Sequence, residues 1–225
     1  MKEVIIVKIL TAVILICGVA GPDMAQSGNT ARDNRPKDLL ERQVPGYNLE
    51  RLTTFSAYSS ALAFTLSPGG IVRIGSCSEE PTTYTWRPAG SKLRETLDSI
   101  VVADPRYRWE LVDGVINVLP VAGEPAFLTT RIGELEVRNA TSANWPLGKL
   151  QALPEVKRAM RDLGLRWGVT LFVSGQPPHP ADFSVRCKDV TLREALNAIA
   201  RAQGIAVWDY VETHCDGIDE VIIRF

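Results

Sequence analysis

The residues able to do chemistry are few. Four cysteines and two histidines occur among 225 residues, and beyond the first 25 positions Cys77, Cys187, Cys215, His179 and His214 remain. Zinc sites are recognised by close pairs such as C-x-x-C or H-x-x-x-H. His179, Cys187, His214 and Cys215 follow no such spacing. Thiol redox chemistry needs two neighbouring cysteines with a lowered pKa, and the chain has no such pair. A nucleophile elbow, a P-loop, a dinucleotide fingerprint and H-E-x-x-H are likewise absent from the sequence. Asp216, Asp219 and Glu220 crowd one loop, where solvation accounts for them. No catalytic, metal or cofactor-binding residue is assigned, and enzymatic activity is not expected.

The cysteines therefore read as structural. Three pairings are open, each leaving one thiol over. Cys187 ends the strand expected before the last helix, and Cys215 sits in the hairpin loop that follows that helix. The favoured bridge is Cys187 to Cys215, a staple worth about 2–4 kcal/mol in an oxidising compartment.

An oxidising compartment is what the N-terminus suggests. Lys2 and Lys8 flank a short apolar start, and Ile9 to Gly21 is an uncharged run followed by Pro22 and small residues. That is the layout of a secretory signal peptide over residues 1–25, with an uncleaved anchor as the alternative. Cys17 follows the bulky Ile16, which argues against lipidation. Residues 26–52 are polar and broken by Pro36, Pro45 and Gly46, and read as a flexible tether. The other reading is an ordered strap docked through Leu39, Leu40 and Val44. A net charge of −1 offers no general attraction to nucleic acid or to an anionic membrane. Membrane contact is expected only through an uncleaved leader.

What positions these residues is an internal repeat. A shift of 99 positions lays Leu93-Arg94-Glu95-Thr96-Leu97 onto Leu192-Arg193-Glu194-Ala195-Leu196. Without a gap, the same shift superposes Arg87 on Arg186, Ile100 on Ile199, Ala103 on Ala202, and Trp109 on Trp208. It also sets Ile71 to Ile74 against Thr170 to Val173. The repeat units are expected over residues 53–125 and 150–225, joined by a connection over 126–149 with a strand at Leu128 to Arg138.

In the second unit Pro154 suits a first helical turn, and Val156, Ala159, Met160 and Leu163 share a face. A strand is expected over Gly168 to Val173 and another near Phe183 to Cys187. Thr191 and Glu194 form a capping box for a helix with Leu192, Ala195, Leu196 and Ile199 on one side and Gly204 at its end. Ile205 to Val211 and Glu220 to Phe225 complete the unit. The first unit repeats this with helices near Phe55 to Leu66 and Ser91 to Val102, strands at Ile71 to Ile74 and Tyr84 to Arg87, and a hairpin turning at Asp113-Gly114. The fold class is α+β: two tandem copies of a helix-strand and strand-helix-hairpin unit, with small sheets packed on helices.

The run Val190-Thr191-Leu192-Arg193-Glu194-Ala195-Leu196, with Gly204 and an aromatic strand after it, resembles the short N-terminal domain shared by secretins and TonB-dependent receptors. Leu93 to Leu97 and Asp113-Gly114-Val115-Ile116-Asn117-Val118 look similar in the first unit. The resemblance implies a periplasmic or secreted module that binds another envelope protein. Arg94-Glu95 and Arg193-Glu194 lie opposite the helix leucines, where they cover a solvated face; they are also the candidate partner surface. The reading from a different class is an envelope enzyme or small-ligand binder with its site in the groove between the units.

Overall fold

After a short leading helix α1 (Pro36–Leu40), each half of the chain folds as strand, helix, strand, strand, helix and hairpin, with two consecutive helices at the first helical position of the second half. The computed structural model describes residues 36–46, 49–76, 78, 83–86, 90–168 and 182–225. The leader, Cys77, His179 and the strand expected over 170–173 lie outside them. The first half comprises β1 (Leu49–Thr53), α2 (Thr54–Phe64), β2 (Gly69–Ser76), β3 (Thr83–Trp86), α3 (Leu93–Ala103), β4 (Tyr107–Val112) and β5 (Val115–Pro120). The second comprises β6 (Arg131–Ala140), α4 (Asn144–Ala152), α5 (Pro154–Asp162), β7 (Leu165–Trp167), β8 (Phe183–Thr191), α6 (Leu192–Gln203), β9 (Val207–Cys215) and β10 (Ile218–Arg224).

Local chemistry starts and stops these elements. The Thr53 hydroxyl accepts the Ser56 N–H at 3.1 Å and caps α2. Thr191 and Glu194 cap α6 reciprocally, the Glu194 carboxylate accepting the Thr191 N–H at 2.6 Å. Gly204, at φ 89°, ends that helix in a left-handed conformation that costs glycine little. Both hairpins turn on Asp-Gly: Asp113 and Gly114 at φ 50° and 79°, Asp216 and Gly217 at φ 33° and 85°. Two successive positive φ values match the turn to the strand twist.

The halves do not keep separate sheets. β4, β5 and β2 from the first half join β9, β10 and β7 from the second in one six-stranded sheet, in that order. Each half contributes a hairpin flanked by an earlier strand of that half, β2 or β7, and the halves meet where β2 runs parallel to β9 from Gly69↔Val207 to Ser76↔His214. Two antiparallel pairs, β1 with β3 and β6 with β8, stand beside it. Ile71 faces one core with α2 and α3, while its neighbour Val72 faces the other with α6. The helices of the two halves thus pack on opposite faces of the sheet, burying both.

The α+β class is observed, and one side-chain contact recurs at the 99-residue interval. Trp109 Nε1 donates to Asp98 Oδ1 at 2.9 Å, and Trp208 Nε1 donates to Asn197 Oδ1 at 2.9 Å. The environments differ: Trp208 is fully buried at the joint. Its Cα partner there is Gly70, where an added Cβ would lie 2.1 Å from the indole ring. A glycine is required because the Trp208 ring occupies that space.

The segment read as a tether is corrected. Over its described part it is an ordered strap: Leu39, Leu40 and Val44 are buried, and the Val44 N–H donates to the Ser91 carbonyl at 2.9 Å. Arg42 Nη1 donates to the carbonyls of Thr65 and Leu66 at 2.7 and 2.8 Å. Residues 49–52, also assigned to the tether, belong to strand β1 (Leu49–Thr53). The physical reason is that three buried apolar side chains and these three hydrogen bonds repay the ordering of a short polar stretch. The connection over 126–149 holds more structure than one strand, since α4 begins within it.

Candidate functional site

Helix cover changes face at the β2–β9 joint. As in open α/β sheets, a crevice lies beyond the carboxyl ends of the parallel strands where the cover changes. Its cavity is about 140 Å³, walled by Thr53, Thr54 and Phe55 at the start of α2, by Arg73 and Ser76 on β2, and by Thr213 on β9. A second, mainly apolar cavity of about 440 Å³ is lined by Pro105, Pro120, Val121 and Ala122. The two share Ile74, Arg106 and Tyr107, so they form one composite cleft.

The carboxylates around the cleft are already engaged. Arg106 grips Asp104 through Nε to Oδ1 at 2.8 Å and Nη2 to Oδ2 at 2.9 Å, and the Thr54 hydroxyl donates to Asp104 Oδ2 at 2.5 Å. The hydrogen bonds from Arg106 hold the Asp104 carboxyl below its ordinary range. On β9, Asp209 accepts from Arg224 Nε with both oxygens, at 2.8 and 2.6 Å; burial nevertheless pushes its pKa up. Arg73 is different. Its guanidinium lies 5.9 Å from the centre of the Phe55 ring, is exposed, and makes no ion pair among the described residues. Its charge nevertheless acts on Asp209.

On the other face of β9, alternate residues form a hydrogen-bonded chain. The buried Tyr210 hydroxyl donates to the Glu212 carboxylate, which lies 3.1 Å from His214 Nε2, while His214 Nδ1 lies 2.9 Å from Asp219 on β10. Both imidazole nitrogens thus face carboxylates. The hydrogen bond to Asp219 raises the His214 pKa, with the nearby Glu212 charge acting in the same direction. A raised folded-state pKa adds stability that is complete below the unfolded value and disappears as pH rises through the folded one. A small loss of melting temperature between pH 5.5 and 8.5 is therefore expected, and His214→Gln should lessen it; an equal loss in both proteins would place the pH response elsewhere.

The cysteine pairing expected from the sequence is overturned. Cys187 is a free thiol and Cys215 is in a disulfide. Cys187 lies on β8, opposite Leu135 on β6, whereas Cys215 ends β9 in the six-stranded sheet. Strands of different sheets hold the two sulfurs apart. Burial pushes the Cys187 thiol pKa up, which makes it less reactive.

The four residues proposed as a partner surface are not brought together. Arg94 lies 5.7 Å over the Trp109 ring, and Glu95 accepts the Lys92 N–H at 3.1 Å. Both sit on α3. Arg193 and Glu194 sit on α6, across the sheet from it. Glu194 is the capping carboxylate. Arg193 spans the halves, with Nη1 2.6 Å from Glu110 on β4 and Nε 2.9 Å from Glu124. Because its side chain is only 21% exposed, Arg193→Ala should cost about 2 kcal/mol by leaving Glu124 without its cation and Glu110 with Arg108 alone. Urea unfolding would measure this, and an unchanged midpoint would show the bridge to be energetically idle.

Arg73 was the residue sequence reasoning passed over. The usable signal was a charge within Ile71-Val72-Arg73-Ile74, since a strand buried on both faces normally reads as continuous apolar residues. Among the described residues no helix is long and apolar enough to cross a membrane. The chain matches no family model, no curated protein and no solved structure.

Proposed function

We propose that the chain is a non-enzymatic protein-binding module of the cell envelope, acting in the periplasm or after secretion. The observation that carries this reading is the composite cleft at the joint of the halves. Its carboxylates are neutralised by internal partners, one cation forms no ion pair among the described residues, and an exposed apolar surface adjoins it: Val121 is 58% and Ile74 37% exposed. Such a combination suits recognition better than bond-making, which needs a nucleophile with its base or a poised acid. The leader-like N-terminus and the disulfide at Cys215 support an oxidising compartment. The likeness of the repeats to secretin and receptor N-terminal domains supports a protein as the partner.

The test is a photo-crosslinking side chain placed at Val121 and, as a control, at Val102, which is 83% exposed on α3. In the native host, the reading expects the protein in the envelope or medium fraction and a discrete protein adduct from position 121 alone. Recovery in the cytosol, or no position-dependent adduct, would overturn it.

A further inference from the structure

We infer that the cleft captures the free C-terminus of a partner chain that ends in an aliphatic residue, an inference that rests on the protein-binding reading above. Three features identify the occupant. The first is charge. Asp104 and Asp209, the carboxylates nearest the cleft, are each held by an arginine of their own, Arg106 and Arg224. The charge of Arg73 also reaches Asp209, so two guanidiniums oppose that one carboxylate and one positive charge remains in excess. Ser76, whose hydroxyl is shared with Ser78, and Thr213 line the same cavity, and hydroxyls can donate to an anion. A planar guanidinium with hydroxyl donors beside it matches a carboxylate.

The second feature is size. The cationic cavity measures about 140 Å³, room for a carboxylate and the atoms next to it. An internal Asp or Glu would require the chain to continue past the site on both sides, whereas a chain end does not. The third is continuity. The apolar cavity meets the cationic one at Ile74, Arg106 and Tyr107, so a terminal residue whose carboxylate reaches Arg73 directs its side chain toward Val121 and the two flanking prolines. Capture of a terminal carboxylate next to an apolar pocket is an established way for a protein to read a peptide end.

The experiment uses the purified full chain and fluorescein-labelled octapeptides of Gly and Ser ending in Leu, Val, Ile or Ala, each as free acid and as amide, with anisotropy as the readout. At least one free acid should bind, and its amide about tenfold more weakly, the effect of losing one charge-assisted contact. Arg73→Gln should abolish the difference between acid and amide. Val121→Asp should weaken the acid while circular dichroism and melting remain those of the parent; both side chains are exposed, so folding is not at stake. Equal binding of acid and amide, no binding by any free acid, or an acid preference retained by Arg73→Gln each overturns the inference. A position-dependent adduct at Val121 together with peptide failure would leave the protein-binding reading standing and remove only the chain-end assignment.

Discussion

Gly70→Ala is expected to destabilise the protein by about 3 kcal/mol, because one methyl group placed in a filled core forces neighbours off their rotamers. The new carbon would sit 2.1 Å from Trp208, whose indole is fully buried and anchored to Asn197 at 2.9 Å. The ring cannot swing away without breaking that bond or opening the β2–β9 ladder, so the cost falls on the joint between the halves. Urea unfolding measures it. Gly148→Ala is the control, since nothing lies within 4 Å of a Cβ there and its position in α4 favours alanine; it should be neutral or slightly stabilising. Trimming the indole should relieve part of the penalty, so Gly70→Ala with Trp208→Leu should lose less than the sum of the two single changes. A Gly70→Ala protein as stable as its parent would mean that Trp208 does not occupy this position in solution.

Reduction should be at least as costly. Cys215 is in a disulfide and Cys187 is free, which leaves Cys17 and Cys77 as partners. Cys77 follows Ser76, and Ser76 is the Cα partner of His214, the residue before Cys215. We expect peptide mapping under non-reducing conditions to yield the Cys77 and Cys215 peptides as one cross-linked species. A bridge between positions so far apart in sequence removes much conformational freedom from the unfolded chain, about 5 kcal/mol in the loop-entropy account. Dithiothreitol and Cys215→Ser should therefore lower the melting temperature by the same amount without adding to one another, while Cys187→Ser leaves the response to reductant intact. A Cys215 that takes up iodoacetamide after unfolding without reductant would contradict the bridge.

Both predictions concern the junction of two repeats, and that junction was only half legible in the sequence. The repeat could be read because helices obey local rules. Thr191 and Glu194 cap α6, Leu192, Ala195, Leu196 and Ile199 line its buried side, Gly204 ends it, and each hairpin turns at Asp-Gly. These features depend on residues a few positions apart, so α6, β4 and β5 were recognisable within a residue or two. Trp109 and Trp208 were correctly equated, and each hydrogen-bonds a helix residue separated by the same interval. The strap was misread as a tether because its anchors, Leu39, Leu40 and Val44, are sparse, and their docking partners lie elsewhere in the chain. The disulfide was misassigned because proximity in sequence stood in for proximity in space, and β8 and β9 join different sheets.

The cleft was less legible still. Its walls come from the start of α2, the ends of β2 and β9, and the segments flanking the β4–β5 hairpin, residues with no shared spacing. Arg94, Glu95, Arg193 and Glu194 attracted notice by recurring at equivalent positions, yet recurrence marked what a helix needs rather than what a partner meets. Glu95 and Glu194 both return to cap their own helices, while Arg73 and the residues around it have no such common motif.

By itself, then, the sequence determined the units: their helices, turns and caps, the α+β class, and the 99-residue correspondence between copies, all of which follow from short-range periodicity and backbone preference. Only the tertiary structure decided that the copies share one sheet, that Gly70 gives way to Trp208 there, which cysteine is bridged, and that an arginine in no described ion pair meets an apolar surface beyond the strand ends. Those outcomes depend on which distant surfaces are complementary in shape and charge, and that complementarity exists only once the chain has folded.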